Sequence, residues 1–369
     1  MINVIDIIGN HSGMNFYDLS YKKIFNERGY NIRILSNFKD EENCISPFFK
    51  NMYKGQFAVK IAKLIYNTLK LACFMIQKRK EWFIYQTYGT YVDAIFILIV
   101  SLCSKRVIID VHDSVALDSQ DSKMLNLILK YLYTQRCSSI IYHSNQTLAY
   151  FSSINFGGQP IFVPHFKYVF PKIFHIDNIS VEVKNSIKKT SLNFLFFGHI
   201  RKSKGIDLLI DAMNSIDTNI KHNFNFIIAG NDTNNLLKEE NMDISSDVSI
   251  SLILRFINTD ELAYLYKHVD YIILPYKSIS QSGVLEMAIY FRTPVITSDL
   301  VYFQSILNDY TSFGQCFRLS SCNLKEKLEN LLIEKNNWYT QEDIERYYSQ
   351  KEIDVFFDSL KDYIEKKSS

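Results

Sequence analysis

Leu192–Met213 reads LNFLFFGHIRKSKGIDLLIDAM. Large apolar residues run up to Gly198, a loop with Arg201, Lys202 and Lys204 follows, and beyond Gly205 apolar residues recur at helical spacing. The first pattern reads as a buried strand and the last as an amphipathic helix. The glycine lets backbone come close to a ligand, helix N-terminal amides favour an anion, and the cations supply counter-charge, so the loop suits a diphosphate. A solvated loop in a lysine-rich protein has the same composition, and this stretch alone leaves both readings open.

The same alternation continues on both sides. Strand patterns fall at Val4–Ile8, Ile32–Leu35, Trp82–Gln86, Val107–Asp110, Ile140–His143 and Ile161–Val163, then at Leu192–Phe197, Phe224–Ala229, Val248–Leu252, Tyr271–Leu274 and Val295–Thr297. Helical patterns separate most of them, which predicts βαβ units and parallel sheets. The chain has 369 residues, enough for two domains of ordinary size. The expected class is α/β, with two Rossmann-like doubly wound domains facing a cleft. The polar, aperiodic stretch Lys167–Thr190 is the expected linker. The predicted division is 1–175, 176–345 and a C-terminal helix, 346–369, packing back on the first domain.

A net charge of +2 hides an asymmetry. Residues 1–175 hold 20 basic and 12 acidic side chains, whereas residues 176–369 hold 21 and 27. No acid occurs between Glu42 and Glu81, a span with Lys50, Lys54, Lys60, Lys63, Lys70, Lys78, Arg79 and Lys80 interleaved with aromatic and aliphatic residues. Such a helix suits an anionic membrane surface or forms a core helix with a solvated lysine edge. Nucleic acid is the third reading of this segment, and an overall pI near 8 without an RNA- or DNA-binding motif argues against it. The longest apolar run, Ala94–Cys103, is too short to cross a bilayer, and MINVIDIIGN reads as a strand, not a signal peptide. The expected location is cytoplasmic. Six cysteines without a CxxC pair are read as reduced core thiols, and no metal site is expected.

A second segment, Tyr271–Leu300, reads YIILPYKSISQSGVLEMAIYFRTPVITSDL. Its strand ends at Pro275, a polar loop leads to Gly283, and Glu286 falls about one turn into the next helix. The amides at Ser282 and Gly283 suit an anion, and the Glu286 carboxylate suits sugar hydroxyls, although the helix dipole alone also favours a carboxylate there.

Gly198, Lys204-Gly205, Pro275, Gly283, Glu286 and Pro294-Val295-Ile296, in that order, resemble the C-terminal domain of GT-B glycosyltransferases of family 4. The resemblance is good over about residues 190–310. It implies that Arg201 and Lys204 hold the donor diphosphate, Glu286 the ribose hydroxyls, and Ser282, Gly283 and Val284 the phosphate and sugar. Thr259 is the N-cap expected before the preceding strand. Two positions depart from the pattern. His199 stands where the family often has Arg, and Ser278 replaces the first of its paired glutamates. Gln281-Ser282-Gly283 resembles a subgroup lacking that first Glu.

The first half resembles the family less closely. Gly9 and Gly13 lie in the first βα turn, where Gly13 would meet phosphate or acceptor. VIIDVHDSV places His112 and Asp113 past a strand end, and His112 resembles the family histidine near the reacting carbon; a structural loop histidine is the other reading. His143 and His165 also end strands. The resemblance implies a retaining, metal-independent hexosyltransferase that needs no cofactor, with a nucleotide-diphosphate sugar as donor. By analogy its acceptor is a lipid-linked saccharide of capsule, O-antigen or exopolysaccharide assembly. A nucleotide-sugar epimerase of the same fold and a non-catalytic subunit partnering an active transferase are the alternatives.

Overall fold

A computed structural model describes residues 1–9, 14–50, 55–113, 122–164, 166–170, 175–232, 235–239, 243–279, 281–334 and 337–368. The chain divides into two compact units, Met1–Phe170 with Tyr348–Ser369, and Pro171–Tyr347.

The first unit runs β1 (Ile2–Ile5), α1 (Asn15–Glu27), β2 (Ile32–Leu35), α2 (Phe57–Gln77), β3 (Trp82–Thr87), α3 (Tyr91–Cys103), β4 (Val107–Val111), α4 (Ser122–Arg136), β5 (Ser139–Tyr142), α5 (Asn145–Ser153) and β6 (Gln159–Phe162). Its six parallel strands lie in the order β2-β1-β3-β4-β5-β6. Side chains alternate across the sheet. One face, with Ile5, Phe83, Ile109 and Ile140, is covered by Leu71 and Met75 of α2, Phe96 and Ile97 of α3, and Leu129 and Leu132 of α4. The other, with Val4, Ile84, Ile108 and Ile141, is covered by Tyr21 and Phe25 of α1 and by Phe356, Leu360 and Tyr363 of the chain's last helix, Gln350–Ser368.

The second unit runs α6 (Val181–Ser186), β7 (Leu192–Phe197), α7 (Ile206–Asn214), β8 (Phe224–Ala229), α8 (Leu236–Glu239), β9 (Ile250–Ile253), α9 (Thr259–His268), β10 (Tyr271–Leu274), α10 (Gly283–Phe291), β11 (Val295–Ser298), α11 (Val301–Leu307), β12 (Gly314–Phe317), α12 (Ser321–Asn330) and α13 (Gln341–Tyr347). Its parallel order is β12-β11-β10-β7-β8-β9. Phe194, Phe226, Ile273 and Ile296 form a core with Leu209 and Met213 of α7 and Leu324 and Leu328 of α12. In each sheet the chain reverses direction beside its first strand, at β1/β3 and at β7/β10. Crevices at such switch points, beyond the carboxyl ends of the strands, are where open α/β sheets bind ligands.

Several local expectations change. The first strand is Ile2–Ile5, not Val4–Ile8, because the Asp6 carboxylate turns the chain by accepting the Ile8 and Gly9 amides at 2.9 and 2.7 Å. Strand β12, GQCF, has no β-branched residue to mark it in sequence; a Cβ at Gly314 would lie 2.1 Å from the Val295 carbonyl oxygen. Asn258, not Thr259, caps α9, in a reciprocal box with Glu261. The Lys167–Thr190 stretch includes α6, whose cap Ser180 is tied by Arg255 to Glu261. The cysteines are free but are not core thiols: Cys44, Cys73 and Cys322 are exposed and Cys103, Cys137 and Cys316 half-buried.

Candidate active site

In the second unit the two sequence motifs meet at the β7/β10 switch point. Gly198 follows β7 with φ +117°, and Gly205 caps α7 with φ +67°, conformations that favour glycine. A Cβ at Gly205 would lie 1.8 Å from the Pro275 carbonyl oxygen, so the loop after β7 rests directly on the end of β10. The Lys277 amide donates to the Ser203 carbonyl at 2.8 Å, and Lys204 Nζ sits 3.8 Å above the Tyr276 ring. Lys277 also pairs with Asp207 of α7. Arg201 is exposed.

Ser282 caps α10, accepting the Leu285 amide at 3.1 Å, which leaves the exposed Gly283 and half-buried Val284 at the helix N-terminus. Val284 faces Gly198, 3.8 Å from where a Cβ there would be. Glu286 is buried, and its Oε1 accepts the Tyr347 hydroxyl at 2.6 Å. Burial raises its carboxyl to about 8, against a smaller opposing effect of Tyr347, so it holds its proton at neutral pH. Nothing local in the sequence marks Tyr347 or Tyr276 as part of the site.

In the first unit His112 and His143 follow β4 and β5. The His112 ring stacks on Tyr88 (centroids 5.0 Å apart, 7° between planes) and on His143 (4.7 Å, 18°), and lies nearly perpendicular to Tyr17 with centroids 4.9 Å apart. Burial lowers the His112 imidazole to about 3, so it is neutral. His143 Nε2 is 2.7 Å from Asp110 Oδ1, and the Tyr17 hydroxyl donates to Asp110 Oδ2 at 3.3 Å. Burial acts to raise the Asp110 carboxyl, but the charge and hydrogen bond of His143 outweigh it and hold Asp110 below its ordinary range. The ligand atoms of Asp110, His112 and His143 lie within 4.8 Å of one another, close enough for a metal ion, although the short Asp110–His143 hydrogen bond already accounts for that pair. Asp110 had a sequence signal: it stands two residues before His112, and such pairs share one face of a strand.

The buried network extends to β1/β3. Asp18 is raised well above its ordinary range, first by burial and then by the charge of Asp6, and burial raises Asp6 as well. Gln86 Nε2 donates to Asp18 Oδ1 at 3.0 Å, and the Tyr88 hydroxyl lies 3.2 Å from Asp6 Oδ1. Gly13 and His165, both named from the sequence, lie outside the described residues.

Residues 178–355 match the family described as glycosyl transferases group 1. The matched stretch covers nearly all of the second unit. A likeness of fold to solved structures extends over the whole chain. Sucrose-phosphate synthase from Thermosynechococcus elongatus matches with a TM-score of 0.71 at 14% identity, covering 100% of this chain and 99% of the other. Anabaena HepE in complex with UDP and glucose matches at 0.62 and 13%, covering 100% and 99%. A UDP-forming trehalose-phosphate synthase from Burkholderia vietnamiensis matches at 0.64 and 8%, covering 100% and 98%. At these identities the likeness concerns the fold, a two-domain GT-B-like α/β architecture. Among curated proteins, none matches the chain.

Proposed function

We propose that the protein transfers a hexose from a nucleotide-diphosphate sugar to a saccharide acceptor, with retention at the anomeric carbon and without a metal. The observation that carries this reading is the junction of the Gly198–Gly205 loop with the Pro275–Glu286 segment, which gathers cations, glycine backbone and a helix N-terminus at one switch point. Arg201 and Lys204 would offset charge developing on the leaving diphosphate, where stabilisation acts on the transition state. The Gly283 and Val284 amides would take a phosphate or sugar oxygen, with Gly198 leaving room for it, and Glu286 would meet the ribose. Gly13 and His112 are the first unit's candidates by the family resemblance, with His112 a neutral group.

The Anabaena neighbour was solved with UDP and glucose, which makes UDP-sugars the first donors to try. A lipid-linked acceptor in surface polysaccharide assembly, at the inner face of the cytoplasmic membrane, fits the basic segment 47–80. The test is a thermal-shift series over UDP-, GDP- and ADP-sugars, in which a donor at a hundredfold its Kd stabilises by about 2.7 kcal/mol. One class of donor is expected to raise the melting temperature. No shift with any of them overturns the reading, and isomerisation of the sugar without acceptor assigns an epimerase instead.

A further inference from the structure

The layer α2-α3-α4 covers one face of the first sheet and leaves its own outer face unusually apolar. On α2, Ile61, Ile65, Leu69 and Ile76 are exposed, and the helix begins at Phe57, which is 78% exposed. Tyr91, Ile95, Leu98 and Leu102 form an exposed stripe on α3 at helical spacing, as do Met124, Leu127 and Tyr131 on α4. Leu102 is 60% and Leu127 67% exposed. The helices pack side by side, α2 on α3 and α3 on α4, so the stripes lie on adjoining helices.

The exposed charge of the three helices has one sign; Glu81, just beyond α2, is half-buried and pairs with Lys78. Lys60, Lys63, Lys70, Lys123, Lys130 and Arg136 lie in the three helices, and Lys78, Arg79, Lys80, Lys105 and Arg106 follow their ends. Their one acidic residue, Asp93, is buried, where it accepts from Thr90 and Tyr85 and caps α3. Exposed apolar side chains set among cations without anions suit an anionic lipid surface. A second copy of the same face would bring lysines against lysines, which opposes self-association. Among the described residues no helix is long and apolar enough to cross a membrane, so contact would be interfacial.

We infer that α2, α3 and α4 together form a docking face for an anionic bilayer, extending the reading of a membrane-linked acceptor beyond the basic segment to two helices outside it. The inference rests on that reading for its biological sense, but its test needs neither donor nor acceptor. Full-length protein is floated with vesicles of phosphatidylcholine alone and of an equimolar mixture with phosphatidylglycerol. Partition onto the mixed vesicles is expected to exceed that onto neutral ones by about tenfold or more and to weaken with salt. The triple variant Ile65→Ser/Leu98→Ser/Leu127→Ser and the variant Lys60→Glu/Lys130→Glu change only exposed positions. Each should lose about tenfold in partition with its melting temperature kept. Equal partition of wild type and both variants, or no partition onto either vesicle, overturns the inference. So does a dimer in sedimentation that the triple variant splits, which would assign the face to a second copy. Transfer to a water-soluble acceptor, measured on the same variants, stays at the wild-type rate if the activity reading holds, so loss of docking and absence of activity are read separately.

Discussion

Tyr347, at the end of α13, donates its hydroxyl to Glu286 Oε1 in the first turn of α10, 2.6 Å away, and closes a buried carboxyl that burial has raised to about 8. The folded state therefore holds a proton that the unfolded chain releases near 4.5. Stability from this group is full below about 4.5 and is lost as pH rises through about 8. Glu286→Gln copies the protonated form, so it should unfold like wild type at acid pH and be more stable by a few kcal/mol above about pH 8. Denaturant unfolding across that range checks this, and parallel profiles for the two proteins would count against it.

His112 has the opposite sign. Its folded value of about 3 lies below the ordinary 6.5, so the unfolded chain takes the proton first. The stability it contributes is present above about 6.5 and is lost as pH falls toward about 3. His112→Asn should flatten the acid limb of the stability curve, and the wild-type pH–rate profile should show no inflection from this imidazole between about pH 5 and 8. An acid limb unchanged in the variant would refute the buried neutral state.

Gly205 and Gly29 both have positive φ, +67° and +77°, but differ in what a side chain would meet. Nothing lies within 4 Å of a Cβ at Gly29, whereas one at Gly205 would strike the Pro275 carbonyl. Gly29→Ala should cost about 1 kcal/mol through its backbone alone. Gly205→Ala should cost several times that and weaken nucleotide-sugar binding, because the two loops must part. Paired unfolding curves decide it; equal losses would mean that the close approach carries no energy.

Arg201 is exposed and Lys204 half-buried, and both lie at the junction of the loops. Arg201→Ala should lower turnover by about 100-fold with the melting temperature unchanged, because the charge it offsets develops in the transition state and not in the folded apoprotein. Turnover at the wild-type level would remove Arg201 from the proposed chemistry.

Local sequence decided the α/β alternation and much of the site in the second unit. A buried parallel strand must be apolar throughout, and a loop that approaches a ligand or another strand needs glycine; both leave marks within a few residues, as Leu192–Phe197, Gly198 and Gly205 do. Strand β12 was not legible because its place rests on the space beside Val295, not on its own composition. The pairing of Glu286 with Tyr347, the stack of Tyr88, His112 and His143, and the burial of Asp6 beside Asp18 were decided by tertiary structure alone. Their protonation states depend on removal from water and on partners far along the chain, and neither burial nor a distant neighbour is written in local spacing. The basic span from Lys50 to Lys80 was visible as composition. Only the fold revealed that Ile61, Ile65, Leu69 and Ile76 stay outside, because α2 turns one side to the sheet and Leu71 and Met75 lie on that side.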